Sequence, residues 1–326
     1  MRRLQILPLA LVTVLSLAAT PLAADDTIRK GFNVADGGTL RLDASIGDVT
    51  IVTGGKGVAV EIIRKAHGRR GEERLREHKI EFQQNGNDVV IDGDNDDDSR
   101  WHSWFSFSDD YEVQWNIRVP SHYNVDVRTS GGSIDLGDIG GTADARTSGG
   151  GIKAGKLAGK SNLKTSGGSI RIAGATSEVV AHTSGGGIEV GDTTGDIEVK
   201  TSGGSITLAR VGGSVLARTS GGGIRVEDAM GAVDASTSGG SISARMSRQP
   251  RGDSRLATSG GSVTVSIAGG VGVELDAQAS GGGVTSDVPV TVQGTQDDDS
   301  LRGRIGSGGP KLVLRSSGGG IRVKSL

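Results

Sequence analysis

Thr165-Ser166-Gly167-Gly168-Ser169-Ile170-Arg171-Ile172 returns eighteen residues later as Thr183-Ser184-Gly185-Gly186-Gly187-Ile188-Glu189-Val190. The same string, Thr-Ser-Gly-Gly followed by Ser or Gly and then Ile, starts at Thr129, Thr147, Thr165, Thr183, Thr201, Thr219 and Thr237, each 18 residues after the last. An eighth copy starts at Thr258, a degenerate ninth at Ala279 and a tenth at Ser316. A constant period of this length marks a solenoid, whose repeats bury their apolar faces only against one another.

Each repeat holds two short stretches of period-two alternation, such as Ile206-Thr207-Leu208 and, about nine residues later, Val215-Leu216-Ala217. Alternation of this kind predicts half-buried strands, and Gly, Thr and Val are poor helix formers. Two strands and two turns close one rung. Stacking rungs at ~4.8 Å puts Ile134, Ile152, Ile170, Ile188, Ile206, Ile224 and Ile242 in one internal column. Ala145, Leu163, Ala181, Val199, Ala217 and Ala235 fall in a second. The expected fold is therefore all-β, a parallel β-solenoid (β-helix) with 18-residue rungs. The Gly pair of each repeat is expected to turn the corner through positive φ, with the Thr and Ser hydroxyls bonding turn backbone or running along the stack. The residue after the pair alternates: Ser133, Gly151, Ser169, Gly187, Ser205, Gly223, Ser241. Duplication of a double rung and corner packing both account for that alternation.

Composition agrees. Fifty-six Gly, nine aromatics and six Pro exclude an ordinary globular core, and the regular Ile and Val exclude disorder. There is no Cys, which removes disulfides, thiolate metal sites and lipidation of an N-terminal cysteine. Met1-Arg2-Arg3, an apolar run from Leu4 to Ala19 and the small residues before Asp25 read as a secretory signal over residues 1–24, cleaved after Ala23 or Ala24. The formal charge is −2, and loss of Arg2 and Arg3 takes it to −4, which gives no overall attraction to nucleic acid or anionic membrane.

Residues 25–123 lack the period but are β-rich, with strands expected at Thr39–Leu42, Asp48–Val52, Val58–Ile63, Lys79–Gln83, Asp88–Ile91 and Glu112–Val119, and a helical turn within Gly71–His78. This segment is expected to cap the open end of the stack, irregular early rungs included, with residues 124–326 forming the repeat domain. The inserts Met246–Arg255 and Pro289–Pro310 are expected as loops or a broadened last rung.

Ile117-Arg118-Val119-Pro120, followed by Val125-Asp126-Val127-Arg128-Thr129-Ser130-Gly131-Gly132-Ser133-Ile134, resembles the DUF4097 family across nearly all of the mature chain. The resemblance implies an exported β-strand-repeat protein of a group labelled adhesins. It implies no catalytic residues.

Two places invite a binding function. Six aromatics, Trp101, Trp104, Phe105, Phe107, Tyr111 and Trp115, fall within fifteen residues. Exposed, they would form a platform for a sugar or a protein; buried, they would plug the solenoid end. The residue before each Thr-Ser-Gly-Gly is outward and basic at Arg128, Arg146, Lys164, Lys200 and Arg218, with His182 among them. Such a row could track an anionic polymer, whereas Asp126, Asp144 and Glu198 on the same face would make the surface one of mixed charge.

Other chemistry finds little foothold. A calcium-binding roll needs a recurring Asp, but the matching column reads Asp135, Lys153, Arg171, Glu189, Thr207, Arg225, Ser243. The run Asp92–Asp98 misses the EF-hand pattern and reads as a solvated loop. Arg251-Gly252-Asp253 is a chance tripeptide in a chain this rich in all three residues. His67, His78, His102, His122 and His182 show no metal-ligand spacing, and no nucleotide or nucleophile motif occurs. No cofactor, metal or nucleic acid is expected. The expected function is a non-enzymatic exported envelope protein, partnered by envelope polysaccharide or another envelope protein. The alternatives are a carbohydrate-active β-helix enzyme, which would need carboxylates converging in a groove, and a protein-binding module of envelope stress.

Overall fold

The computed structural model describes residues 24–93, 110–292 and 297–326. The expected leader apart from Ala24, and most of Asp92–Asp98, lie outside them.

The N-terminal elements are β1 (Ala24–Phe32), β2 (Thr39–Ala44), β3 (Asp48–Thr53), β4 (Val58–Ala66), α1 (Gly68–Glu77), β5 (Glu81–Asn85), β6 (Asp88–Gly93) and β7 (Tyr111–Val119). Regular rungs follow: β8 (Asn124–Thr129) with β9 (Ile134–Leu136), β10 (Ala143–Thr147) with β11 (Ile152–Leu157), and β12 (Ser161–Lys164) with β13 (Ile170–Ala175). They continue through β14 (Val179–His182), β15 (Ile188–Thr193), β16 (Ile197–Lys200), β17 (Ile206–Val211), β18 (Val215–Thr219) and β19 (Ile224–Ala229). β20 (Val233–Thr237), β21 (Ile242–Met246), β22 (Ser254–Thr258) and β23 (Val263–Ile267) end the regular stack. The C-terminal elements are β24 (Val273–Ala279), β25 (Val284–Ser286), β26 (Val290–Val292), β27 (Ser300–Ile305), β28 (Lys311–Ser316) and β29 (Ile321–Ser325).

These strands form two long, mostly parallel sheets that face each other and do not close. Sheet A, of 14 strands, runs β1-β4-β7-β3-β9-β11-β13-β15-β17-β19-β21-β23-β29-β25. Sheet B, of 15, runs β5-β6-β2-β8-β10-β12-β14-β16-β18-β20-β22-β28-β24-β27-β26. Antiparallel pairing is confined to the ends, at β1–β4, β4–β7, β5–β6, β24–β27 and β26–β27. This is the β-solenoid that the 18-residue period predicts.

Register confirms both internal columns. Ile134 pairs with Ile152, and so on rung by rung to Ile242. Ala145 pairs with Leu163, and that column continues to Ala235. The interior holds further columns that lie off the two clearest alternations. One, Ile139-Leu157-Ala175-Thr193-Val211-Ala229, follows a point where two successive residues, such as Gly155 and Lys156, face out. The all-isoleucine column lies in one sheet and the column rich in Ala in the other, which suits close filling of a narrow interior.

The corner glycines are required for a reason other than the expected positive φ. Positive φ occurs only at Gly37, Gly47, Gly54, Gly68, Gly86, Gly270, Gly306, Gly308 and Gly309 among the described residues; Gly47 turns the β2–β3 corner, and none lies in a Thr-Ser-Gly-Gly corner. What the corner excludes is a Cβ. On Gly204 it would lie 2.2 Å from the carbonyl oxygen of Gly186 in the neighbouring rung. That carbonyl also accepts a 2.7 Å hydrogen bond from the Thr201 hydroxyl, and Thr147, Thr165, Thr183 and Thr237 make the same bond at 2.7 Å. The threonines are buried, so the bonds form a dry ladder along the stack. Thr201→Val keeps the shape and orphans the acceptor. It should cost about 1–2 kcal/mol, read from the midpoint of urea unfolding.

Corner packing accounts for the Ser/Gly alternation. The hydroxyls of Ser169, Ser205 and Ser241 accept from the backbone N–H of Gly187, Gly223 and Ser262 at 3.2, 3.3 and 3.1 Å. The intervening glycines sit where a Cβ would come within 3.1 Å of the next Ser carbonyl, as at Gly151 and Gly187.

Both ends depart from chain order. β2–β3 is the first rung in sequence, yet it lies between β6–β7 and β8–β9. β28–β29 is the last, yet it lies between β22–β23 and β24–β25. Residues of the expected cap therefore supply two rungs of the same stack. Strand β1 was not expected, because an edge strand needs only one apolar face and here has only Ile28 and Phe32 on it. The helical turn is longer than expected and begins at Gly68. Of the two inserts, one is a loop before β22 and the other contributes β26 and β27 to the C-terminal end of sheet B.

Candidate functional site

The aromatic segment divides at Asp110. Trp101, Trp104, Phe105 and Phe107 lie outside the described residues. Tyr111 and Trp115 lie on β7, and both face inward.

Trp115 is 0% exposed. It pairs with Val49 and Ile62 in the extended isoleucine column, and its indole N–H donates 2.9 Å to the Ile46 carbonyl. The Tyr111 hydroxyl lies 2.7 Å from Nδ1 of buried His78, whose Nε2 lies 3.0 Å from the Gly93 carbonyl. The carbonyl can only accept, so Nε2 carries the proton and Nδ1 accepts from the phenol. Burial pushes the Tyr111 pKa up to about 12, against the pull of Arg64, which keeps the phenol a donor. Arg64 donates to the carbonyls of Leu75 and His78 and pairs with Asp26. This polar group fastens α1 and the β5 approach to the end of sheet A. The sequence carries no short motif for it; only the isolated His and Tyr are visible there.

The basic row runs up the outer face of sheet B at Arg128, Arg146, Lys164, His182, Lys200 and Arg218, paired strand to strand in one register. Arg146 meets Asp144 at 2.6 Å, Arg128 meets Asp126 at 3.6 Å, and Arg218 meets Asp234 at 3.4 Å. Lys200 pairs with Glu198, which also lies 3.4 Å from His182. The face is thus one of mixed charge along most of its length. Its centre differs. The position two residues before Lys164, His182 and Arg218 is Asn162, Val180 or Leu216, so that side chain has no acidic neighbour on its own strand.

Hydrogen bonding to Lys200 holds Glu198 below the usual carboxylate range. His182 is lowered from its ordinary 6.5, first by burial and then by Lys200 and Lys164, with the Glu198 bond opposing. Since the folded pKa is the lower one, the unfolded chain takes up this proton first as the pH falls. The stability tied to neutral His182 is complete above about 6.5 and is lost on acidification through the lower folded value. His182→Gln should flatten that part of the stability curve, as measured by urea midpoints from pH 7.5 downward.

Beside the row is an open cleft of about 320 Å³ lined by Glu178, Asp196, Glu198, Asp234 and Asp253. Every carboxylate in it has work elsewhere. Glu178 pairs with Lys160 at 3.0 Å, while Asp196 and Asp253 accept from the backbone N–H of Ser214 and Lys311 at 2.7 and 2.8 Å. Asp253, the acid of the Arg-Gly-Asp tripeptide, is thereby tied to the next rung. A second cleft of about 360 Å³ on sheet A is lined by Asp192, Arg210, Glu227, Asp228 and Arg245. The column in which a calcium roll would need acids holds two cross-rung ion pairs instead, Lys153–Asp135 at 3.5 Å and Arg171–Glu189 at 2.9 Å. Among the described residues no group of three or more His, Asp or Glu is placed to hold a metal ion. No helix among them is long and apolar enough to cross a membrane.

Two facing parallel sheets, a filled interior and a surface of registered charge columns define a β-solenoid repeat protein. The Toastrack DUF4097 family model matches residues 38–324, and the chain belongs to that family. Among solved structures it is similar to a "putative cell adhesion protein" from Clostridium sporogenes ATCC 15579, at 13% identity and a TM-score of 0.21, over 93% of this chain and 100% of that one. It is also similar to a "putative adhesin" from Bacteroides fragilis NCTC 9343, at 12% identity and a TM-score of 0.31, over 92% and 97%. A third, a "putative adhesin" from Parabacteroides distasonis ATCC 8503, has 10% identity and a TM-score of 0.28, over 74% and 92%. No curated protein matches the chain.

Proposed function

We propose that this chain is a non-enzymatic, exported protein of the bacterial envelope that binds envelope polysaccharide along the outer face of sheet B. The observation that carries this reading is the basic row in strict register at Arg128, Arg146, Lys164, His182, Lys200 and Arg218. At its centre Lys164 and His182 lack same-strand acids, and half-buried Val180 lies on the strand of His182, as half-buried Leu216 lies on that of Arg218. Cations next to small apolar patches suit an acidic sugar chain, whose carboxylates and ring faces alternate. The leader-like residues 1–24 support export. A carbohydrate-active enzyme is the weaker reading, because the carboxylates of the nearby cleft are engaged and Glu198 is held ionised, which suits no general acid.

Reversing Arg146, Lys164 and Lys200 to Glu should weaken binding to an acidic envelope polysaccharide about tenfold, with the fold retained. Titration calorimetry against a glycan panel measures this. Unchanged affinity would remove the row from the function. Cell fractionation tests export, and a protein found only in the cytoplasm would refute it.

A further inference from the structure

Strand β1 closes the N-terminal edge of sheet A. It pairs with β4 over nine residues, from Ala24 opposite Ala66 to Phe32 opposite Val58, and no described strand lies on its other side. The other three sheet edges are shorter: β5 has five residues, and β25 and β26 have three each. A long unpaired edge is a template for another strand.

Two features of β1 select the strand it fits. The first is the isoleucine column, which runs outward from Ile134 through Val49, Trp115 and Ile62 to Ile28. Every member up to Ile62 is buried, whereas Ile28 is only half-buried, so the dry column stops at this edge. The second is the charge order. Asp26 and Lys30 lie two residues to either side of Ile28 and share its face. In an antiparallel pair about Ile28, Asp26 of each copy lies opposite Lys30 of the other, Thr27 lies opposite Arg29, and Ile28 lies opposite Ile28. A parallel pair would set Asp26 against Asp26 and Lys30 against Lys30. Asp26 keeps 41% of its side chain exposed despite its pairing with Arg64.

We propose that β1 is a self-association edge: two copies of this chain join sheet A to sheet A through antiparallel β1 strands, on a two-fold axis through Ile28. The pairing continues the apolar column across the axis and neutralises both charge pairs, and the contact is closed and isologous.

The chain contains no Cys, so single cysteines report register without background. The purified full chain should sediment as a concentration-dependent dimer. Facing Cβ atoms in such a pair lie about 4.5–5.5 Å apart, so Ile28→Cys should oxidise to a covalent dimer. Phe32→Cys should not, because Phe32 would face Ala24. Should Ile28→Cys fold poorly, a mixture of Thr27→Cys and Arg29→Cys chains should give the crossed heterodimer, since both positions are exposed in the single chain. Lys30→Asp should weaken self-association about tenfold, and losing its 5.2 Å stack on the Phe82 ring should show separately as a small fall in the monomer's melting midpoint. A monomer at every concentration, equal cross-linking at positions 28 and 32, or a dimer indifferent to Lys30→Asp would each overturn the proposal.

Discussion

Gly204→Ala should lower the unfolding free energy by about 3 kcal/mol, a large loss for adding one methyl group. The new Cβ would stand 2.2 Å from the Gly186 carbonyl oxygen and 2.4 Å from its carbon. Backbone cannot rotate away as a side chain can, so the two rungs must part. Parting them breaks the Thr201 bond to that same carbonyl and strains the ladder bonds on either side. Alanine's helix and chain-stiffening advantages over glycine have no purchase here, because the obstacle is the adjacent rung and not φ. Gly269→Ala is the control: its Cβ would meet nothing within 4 Å, and its effect should stay within about 0.5 kcal/mol. Urea unfolding of the two variants in parallel measures the contrast. Equal effects would mean that the corner glycines are not there for close stacking.

Trp115→Ala should cost about 4 kcal/mol, within the range for truncating a fully buried aromatic. It empties one level of the interior, removes the partner of Val49 and Ile62, and leaves the Ile46 carbonyl without its indole donor. Solenoid stability is close to a sum of rungs and their interfaces, so the loss should be local first. Amide exchange should quicken in β2, β3, β4 and β7, while β12 to β19 keep their protection. A mild, uniform loss across all rungs would contradict this placement and favour a surface role for Trp115.

The repeat region was the most legible part of the chain. A strict period carries register with it, so aligning Ile134 with Ile152 on paper already aligns them in space. The mixed character of the basic row was legible for the same reason, since Asp126, Asp144 and Glu198 stand two residues before a base on the same face. Positive φ and close backbone approach leave the same residue in the sequence, so the reason for the glycine corner shows only in the stacked rungs. The third interior column is hidden in the sequence because a pair of outward residues breaks the alternation just before it. Trp115 differs from its aromatic neighbours only by its place in an alternating strand, and period alone does not assign Tyr111 to His78. The order of rungs at the ends is not readable in the sequence: the strands there lie outside the strict period or are split by inserts, so chain order no longer names the spatial neighbour.

That interleaving bears on how the molecule is made. β24–β25 is synthesised before β28–β29, yet it can join the stack only across β28–β29. Completion of this end therefore waits for β28–β29, which enters like a keystone joining β22–β23 to β24–β25. Strands β28 and β29 are each paired on both sides, so neither peels from its sheet without breaking two ladders. A chain clipped before Lys311 would lose more than its final course, because the preceding one would be left with nothing to rest on.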